Sequence, residues 1–215
     1  MRNPALLPAV IDRVNRSSLR IWTTLALTLG LLPLRSLATT VMAPNFDSLV
    51  SQADYVVRAV VKSVTAEWRI DGANRHIITK VELTVNEVIK GTPPSPLVLT
   101  MLGGRIGQDE MRVEGAPKFN VGDENILFVH GNGQQFIPLV ALRYGQYQVA
   151  RDPASAEAFV LRSNGSPLYD VSDVASPMSP AKAAAAARPL TVTEFATKIR
   201  ASVATHQAQP PANAN

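Results

Sequence analysis

The 215-residue chain contains no cysteine. Disulfides, thiol catalysis and thiolate metal sites are thereby excluded together, and packing must supply the stability of any folded part. Aromatic residues are scarce, at 6%. No apolar run is long enough for a membrane span, since the longest, Ile21 to Leu34, has 14 residues interrupted by Pro33 against the roughly 20 a bilayer requires. Signatures of chemistry are missing as well. There is no GxSxG elbow, no HxH or HExxH pair and no EF-hand spacing, so neither a serine nucleophile nor a metal site is spelled out locally.

What is present begins with an address. Arg2, Arg13, Arg16 and Arg20 precede the apolar run, and Ser36-Leu37-Ala38 follows it with small residues, the layout of a signal peptide over residues 1–38 with cleavage after Ala38. The expected location is therefore the periplasm or the medium, with no integral membrane span after cleavage. Without cysteine there is also no lipobox. The leader holds five of the 21 basic and one of the 17 acidic residues, so the remainder carries 16 of each and is formally neutral. A basic stripe for nucleic acid is then unsupported.

The organising stretch is Ala53 to Gly91. Val56, Val60 and Val64 share a face with Arg58 and Lys62, while valines also occupy the other parity, which predicts a central strand buried more completely than its neighbours or carrying a bulge. In the second strand Ile77, Val81, Leu83, Val85 and Ile89 hold one parity, predicting a single buried face. Asp71-Gly72-Ala73-Asn74 suits the reversal between them. Gly91 and the prolines at 93, 94 and 96 end the second strand.

Elsewhere the pattern predicts a short helix over Ser48 to Ala53 capped by Asn45 or Asp47. Strands are expected at Leu97–Leu102, Asn125–His130 and Ala158–Arg162, with weaker alternation at 143–151, giving six or seven in all. Gly103 to Glu124 reads as one long irregular loop. The Ala/Pro/Ser-rich residues 174–189 read as a linker closing a β-domain of residues 39–173. A C-terminal amphipathic helix at 190–206 places Val192, Phe195, Ile199 and Val203 on one stripe, with Thr193 as its cap; residues 207–215 form a polar tail. The spacing of strands and turns predicts a mainly β fold, a small barrel or related sandwich.

Candidate binding residues lie in the long loop and at the hairpin: Arg105, Gln108, Asp109, Glu110, Arg112 and Trp68. The GGRIG run around Arg105 lacks GxGxxG spacing and reads as turn geometry. Asp109, Glu110, Glu114, Asp123 and Glu124 read as a charged loop surface, so no metal and no cofactor are expected. No local motif favours an enzyme. A rival reading is a hydrolase assembled from His76, His130 and Ser166, and another is an envelope structural protein assembling through the C-terminal helix.

The segment Ala53-Asp54-Tyr55-Val56-Val57-Arg58-Ala59-Val60-Val61, with Val88-Ile89-Lys90-Gly91, resembles the start of netrin-like domains and tissue inhibitors of metalloproteinases. That resemblance implies an OB-like barrel. The inhibitors' zinc-binding N-terminal cysteine has no counterpart here, so their mechanism does not carry over. Residues 53–150, with GGRIG, EGAPKF, VGDENILFV and RYGQYQV, also resemble a group of uncharacterised exported bacterial β-barrel proteins, some associated with matrixin-type metallopeptidases. The resemblance brings no established activity; with the absence of catalytic motifs, the expectation is a non-catalytic binding module, and the resemblance points to such a peptidase as its partner class.

Overall fold

The computed structural model describes residues 43–175 and 188–208. The expected leader, residues 1–38, lies outside them, as do residues 209–215 of the tail expected at 207–215; residues 207 and 208 instead belong to the C-terminal helix. Among the described residues eight strands form: β1 (Tyr55–Asp71), β2 (Asn74–Lys90), β3 (Leu97–Leu102), β4 (Gly104–Ile106), β5 (Asp109–Met111), β6 (Glu124–Val129), β7 (Gln146–Arg151) and β8 (Ala158–Arg162), with helices α1 (Phe46–Gln52) and α2 (Val192–Ala208). Six of the strands make one antiparallel sheet in the order β3-β2-β1-β6-β7-β8, and β4 and β5 pair separately. The fold is mainly β, and its sheet is open. An eight-strand count exceeds the expected six or seven because Gly107-Gln108 folds part of the long 103–124 loop into a hairpin.

Strand β1 is central, as its two-sided valines predict. Val57, Ala59 and Val61 face one core while Val56 faces the other. Strand β6 does the same through Leu127 and Val129 on one side and Ile126 and Phe128 on the opposite side. The strict parity expected of β2 fails. The β1–β2 register leaves Asn86 and Ile89 without partners on β2, and Lys62 without one on β1. Each such bulge reverses the facing of the residues beyond it, so Ile89 packs with Val56 in the helix-side core while Leu83 packs with Val57 in the other.

The helix-side core is built around four aromatic rings. Phe195 of α2 lies 5.0 Å from Tyr147, 5.9 Å from Phe46 and 6.1 Å from Phe128, centroid to centroid. Helix α1 is capped by Asn45, whose Oδ1 accepts from Ser48 N at 2.7 Å. Asp47 instead accepts from Ser202 Oγ of α2 at 2.7 Å. The cap of α2 is Thr191, not Thr193. Thr191 and Glu194 form a reciprocal capping box, with Thr191 N donating to Glu194 Oε2 at 2.9 Å and Glu194 N to Thr191 Oγ1 at 3.2 Å; Thr193 has only Ala196 three residues on, which cannot complete it. Arg188 also pairs with Glu194, and with the Thr191 contacts it holds the pKa of that carboxyl down at about 2. Val174, placed in the linker by composition, is buried in this core; residues 176–187 lie outside the described ones.

The opposite face of the sheet curls around a second core. Its gap between β3 and β6 is spanned by the return segment rather than by a strand: Leu139 bridges Val129, Leu102 N donates to Phe136 O at 2.6 Å, and Asn132 Nδ2 donates to Val98 O at 2.9 Å. The barrel expected from sequence therefore does not close by strand pairing. After β6 the chain must turn through Gly131 and Gly133, and the strand ladder ends there.

An ionic seam ties strands to helix. Glu124, whose side chain is 10% exposed, accepts from Arg58 Nε at 2.7 Å and also meets Asn86 and Arg151. Glu87 links Arg58 to Arg200 of α2. Burial pushes the Glu124 carboxyl up, but the Arg58 hydrogen bond and charge, with Asn86 and Arg151, outweigh it and hold the group below its ordinary value.

Phe195→Ala should cost about 3–5 kcal/mol in urea unfolding, and a loss under about 1 kcal/mol would show that α2 is not part of the core. Glu124→Gln should cost about 1–3 kcal/mol at neutral pH. Because the folded carboxyl is depressed, its contribution is present above the ordinary value of 4.5 and lost as pH falls through the folded value. Unfolding curves of the two proteins should then converge in acid; a constant gap would rule out the charge as its source.

Candidate functional site

The curl stays open at one end, and the β4–β5 hairpin stands over the opening. Gly104 sets that position. A Cβ built there would lie 2.4 Å from Thr79 Oγ1, 3.2 Å from Ile77 Cγ2 and 3.3 Å from Ala66 Cβ, and φ is +141°, so only glycine lets the hairpin lie against the β1–β2 ribbon. Thr79 Oγ1 fixes the entry by donating to Gly103 O at 2.7 Å. Below the hairpin lies a cleft of about 530 Å³. Its floor is apolar, from Met101, Leu102, Met111, Val113, Phe119 and Ile137, and Glu110, Arg112, Lys118 and Asn120 rim it. An apolar floor with a few polar groups at the mouth is the layout of a recognition site.

The candidate residues from sequence separate here. Glu110 and Arg112 line the cleft and pair with each other at 2.7 Å, which draws the carboxyl down and the guanidinium up. Arg105, Gln108 and Asp109 sit on the exposed part of the hairpin. Trp68 lies on the ribbon instead, with the Arg75 guanidinium 3.6 Å from its ring centroid. Sequence reasoning missed the floor, because Phe119 and Ile137 reach it from loops without periodicity. EGAPKF held the visible signal, since Ala116 to Phe119 belong to the lining.

The hydrolase constellation is not assembled. His76 pairs with Asp71 near the hairpin turn, 3.3 Å away. His130 pairs with Asp54 at the other end of β1, at 3.1 Å. Ser166 donates to Asn164 in a turn beyond β8. Likewise the loop acids disperse, with Asp123 on Asn120, Glu124 in the seam and Glu110 on Arg112.

Asp54 forms a junction that sequence separation hid. Its carboxylate accepts from Gly131 N at 2.7 Å and meets His130, and these contacts hold it below its usual value against the cost of burial. Next to it Lys90 donates to Val50 O at 2.7 Å and to Ser51 and Ala53 carbonyls, capping the C-terminal end of α1. Gly91 has φ +70°, and a Cβ there would stand 2.3 Å from Asp54 O. The residues that carry the netrin-like resemblance thus meet as a packing joint.

No protein-family model matches the chain, and no curated protein matches it. The cleft and its rim must therefore be read from their own chemistry.

Gly91→Ala should cost about 2–4 kcal/mol in urea unfolding, combining left-handed strain with a backbone clash. A variant as stable as the parent would contradict the joint.

Proposed function

We propose that the protein is an exported, non-catalytic binding module that takes a protein partner at the cleft under the β4–β5 hairpin. The observation that supports this is the pairing of an apolar floor with the Glu110–Arg112 rim on a protruding hairpin. The curl of β3, β2, β1 and β6, bridged in part by the return segment, supports relating it to an OB-like barrel of the netrin-like kind. A matrixin-type metallopeptidase is the partner class that reading favours, as a protein restrained without a cysteine ligand. In a protein interface, the floor would receive an apolar anchor and the rim would set orientation.

The test is capture from envelope and secreted fractions with the chain from Thr39 as bait, beside Glu110→Ala/Arg112→Ala. Both side chains are exposed, so stability should change by less than about 0.5 kcal/mol. A metallopeptidase retained by the parent, inhibited by it, and bound about tenfold more weakly by the variant is the expected result. Equal retention by both would remove the cleft from the interface.

A further inference from the structure

The β1–β2 ribbon outruns the sheet. β6 pairs β1 only up to Val60, Asp123 and Gly122 extend the contact to Val61, and β3 pairs β2 only from Ile78. Beyond the Lys62 bulge, the outer edge of β1 from Thr65 to Asp71 has no second strand among the described residues. A bare edge offers unpaired backbone groups to another strand.

From this edge we infer that two copies of the chain pair antiparallel through β1, with the twofold axis at Trp68. The side chains select that register. Thr65, Glu67, Arg69 and Asp71 share one face of the strand, and Ala66, Trp68 and Ile70 share the other. Centring on Trp68 sets Glu67 opposite Arg69 of the second copy, twice by symmetry, and Ala66 opposite Ile70. Centring on Glu67 would oppose two glutamates, and on Arg69 two arginines with Glu67 against Asp71. Centring on Ala66 forms no ion pair, and on Ile70 leaves only three residues overlapping.

The present charges and exposures fit that partner. Arg69 has no ion-pair partner among the described residues, whereas Glu67 holds Lys80 at 2.7 Å with 42% of its side chain exposed. Pairing would extend this into a Lys80–Glu67–Arg69 chain between copies. On the other face Ile70 is 72% exposed and would gain cover from Ala66 of the second copy, beside two apposed tryptophans. Seven residues per edge make a small interface, so a concentration-dependent equilibrium is expected rather than an obligate dimer. This pairing does not depend on what the cleft binds.

The test is sedimentation equilibrium of the chain from Thr39, from micromolar to submillimolar concentration, for the parent, Glu67→Arg, Arg69→Glu and the double exchange, with melting curves to confirm folding. Each single reversal sets like charges opposite at both symmetric positions and should weaken the dimer by about tenfold or more. The double exchange should restore it, because opposite charges would again face each other at both positions. A parent that stays monomeric throughout overturns the proposal, as does a dimer indifferent to the single reversals or one the double exchange fails to restore.

Discussion

Val56 and Val57 are adjacent, both fully buried, and on opposite faces of one strand. That arrangement requires cover on both sides of β1, and the rest of the domain supplies it. The helices and the 160–174 region seal the Val56 side; the sheet's own curvature seals the Val57 side. Neither core would survive alone, because β1 and β6 contribute to both. The Lys90 and Gly91 joint fixes where β1 starts relative to the end of β2; the register of the long hairpin shifts three times near this base and then runs unbroken from Ser63 to the turn after Asp71.

Bulges explain how one hairpin serves two cores. A strand without interruptions would keep its apolar set on one face for its whole length. Asn86 and Ile89 break β2 near the base, sending Ile89 to the helices while Leu83 remains inside the curl. The seam of Arg58, Glu87, Glu124, Arg151 and Arg200 crosses the same region, and pairing its members offsets the cost of placing Glu124 almost out of solvent. Charge here positions α2 across the bulged part of the sheet, while the aromatic rings supply the attraction.

Local periodicity made part of this legible. The two-residue turn at Gly72-Ala73, the central place of β1, the Asn45 cap and the α2 stripe all follow from patterns a few residues long. The facing of Ile89 did not, because a bulge leaves no composition signal and resets parity. The Thr191 cap was visible as Thr-x-x-Glu but was displaced by a threonine two residues later. In the site, Glu110 and Arg112 could be chosen as exposed charge on a long loop. The cleft floor could not, since Met101, Phe119 and Ile137 converge only when the return segment crosses toward β3. Asp54 and His130 are separated by 76 residues, and only the pairing of β1 with β6 makes them neighbours.

The incomplete closure is what leaves room for the cleft. A closed barrel would fill the space beside β3 with another strand, and its backbone pairing would leave interior side chains to pack the end. Here the return segment makes a few contacts with β3 and departs, so the interior opens between Ile137, Phe119 and the β4–β5 hairpin. The hairpin can stand there because Gly104 permits close approach to Ala66 and Ile77, which puts Glu110 and Arg112 at the mouth while Met111 turns toward the floor. The recognition proposed for this cleft would rest on a short element held on a rigid ribbon, with apolar burial below and charge at its margin. The same ribbon continues past the cleft with an alternating charge pattern on its bare edge, so the cleft and that edge occupy different parts of one hairpin.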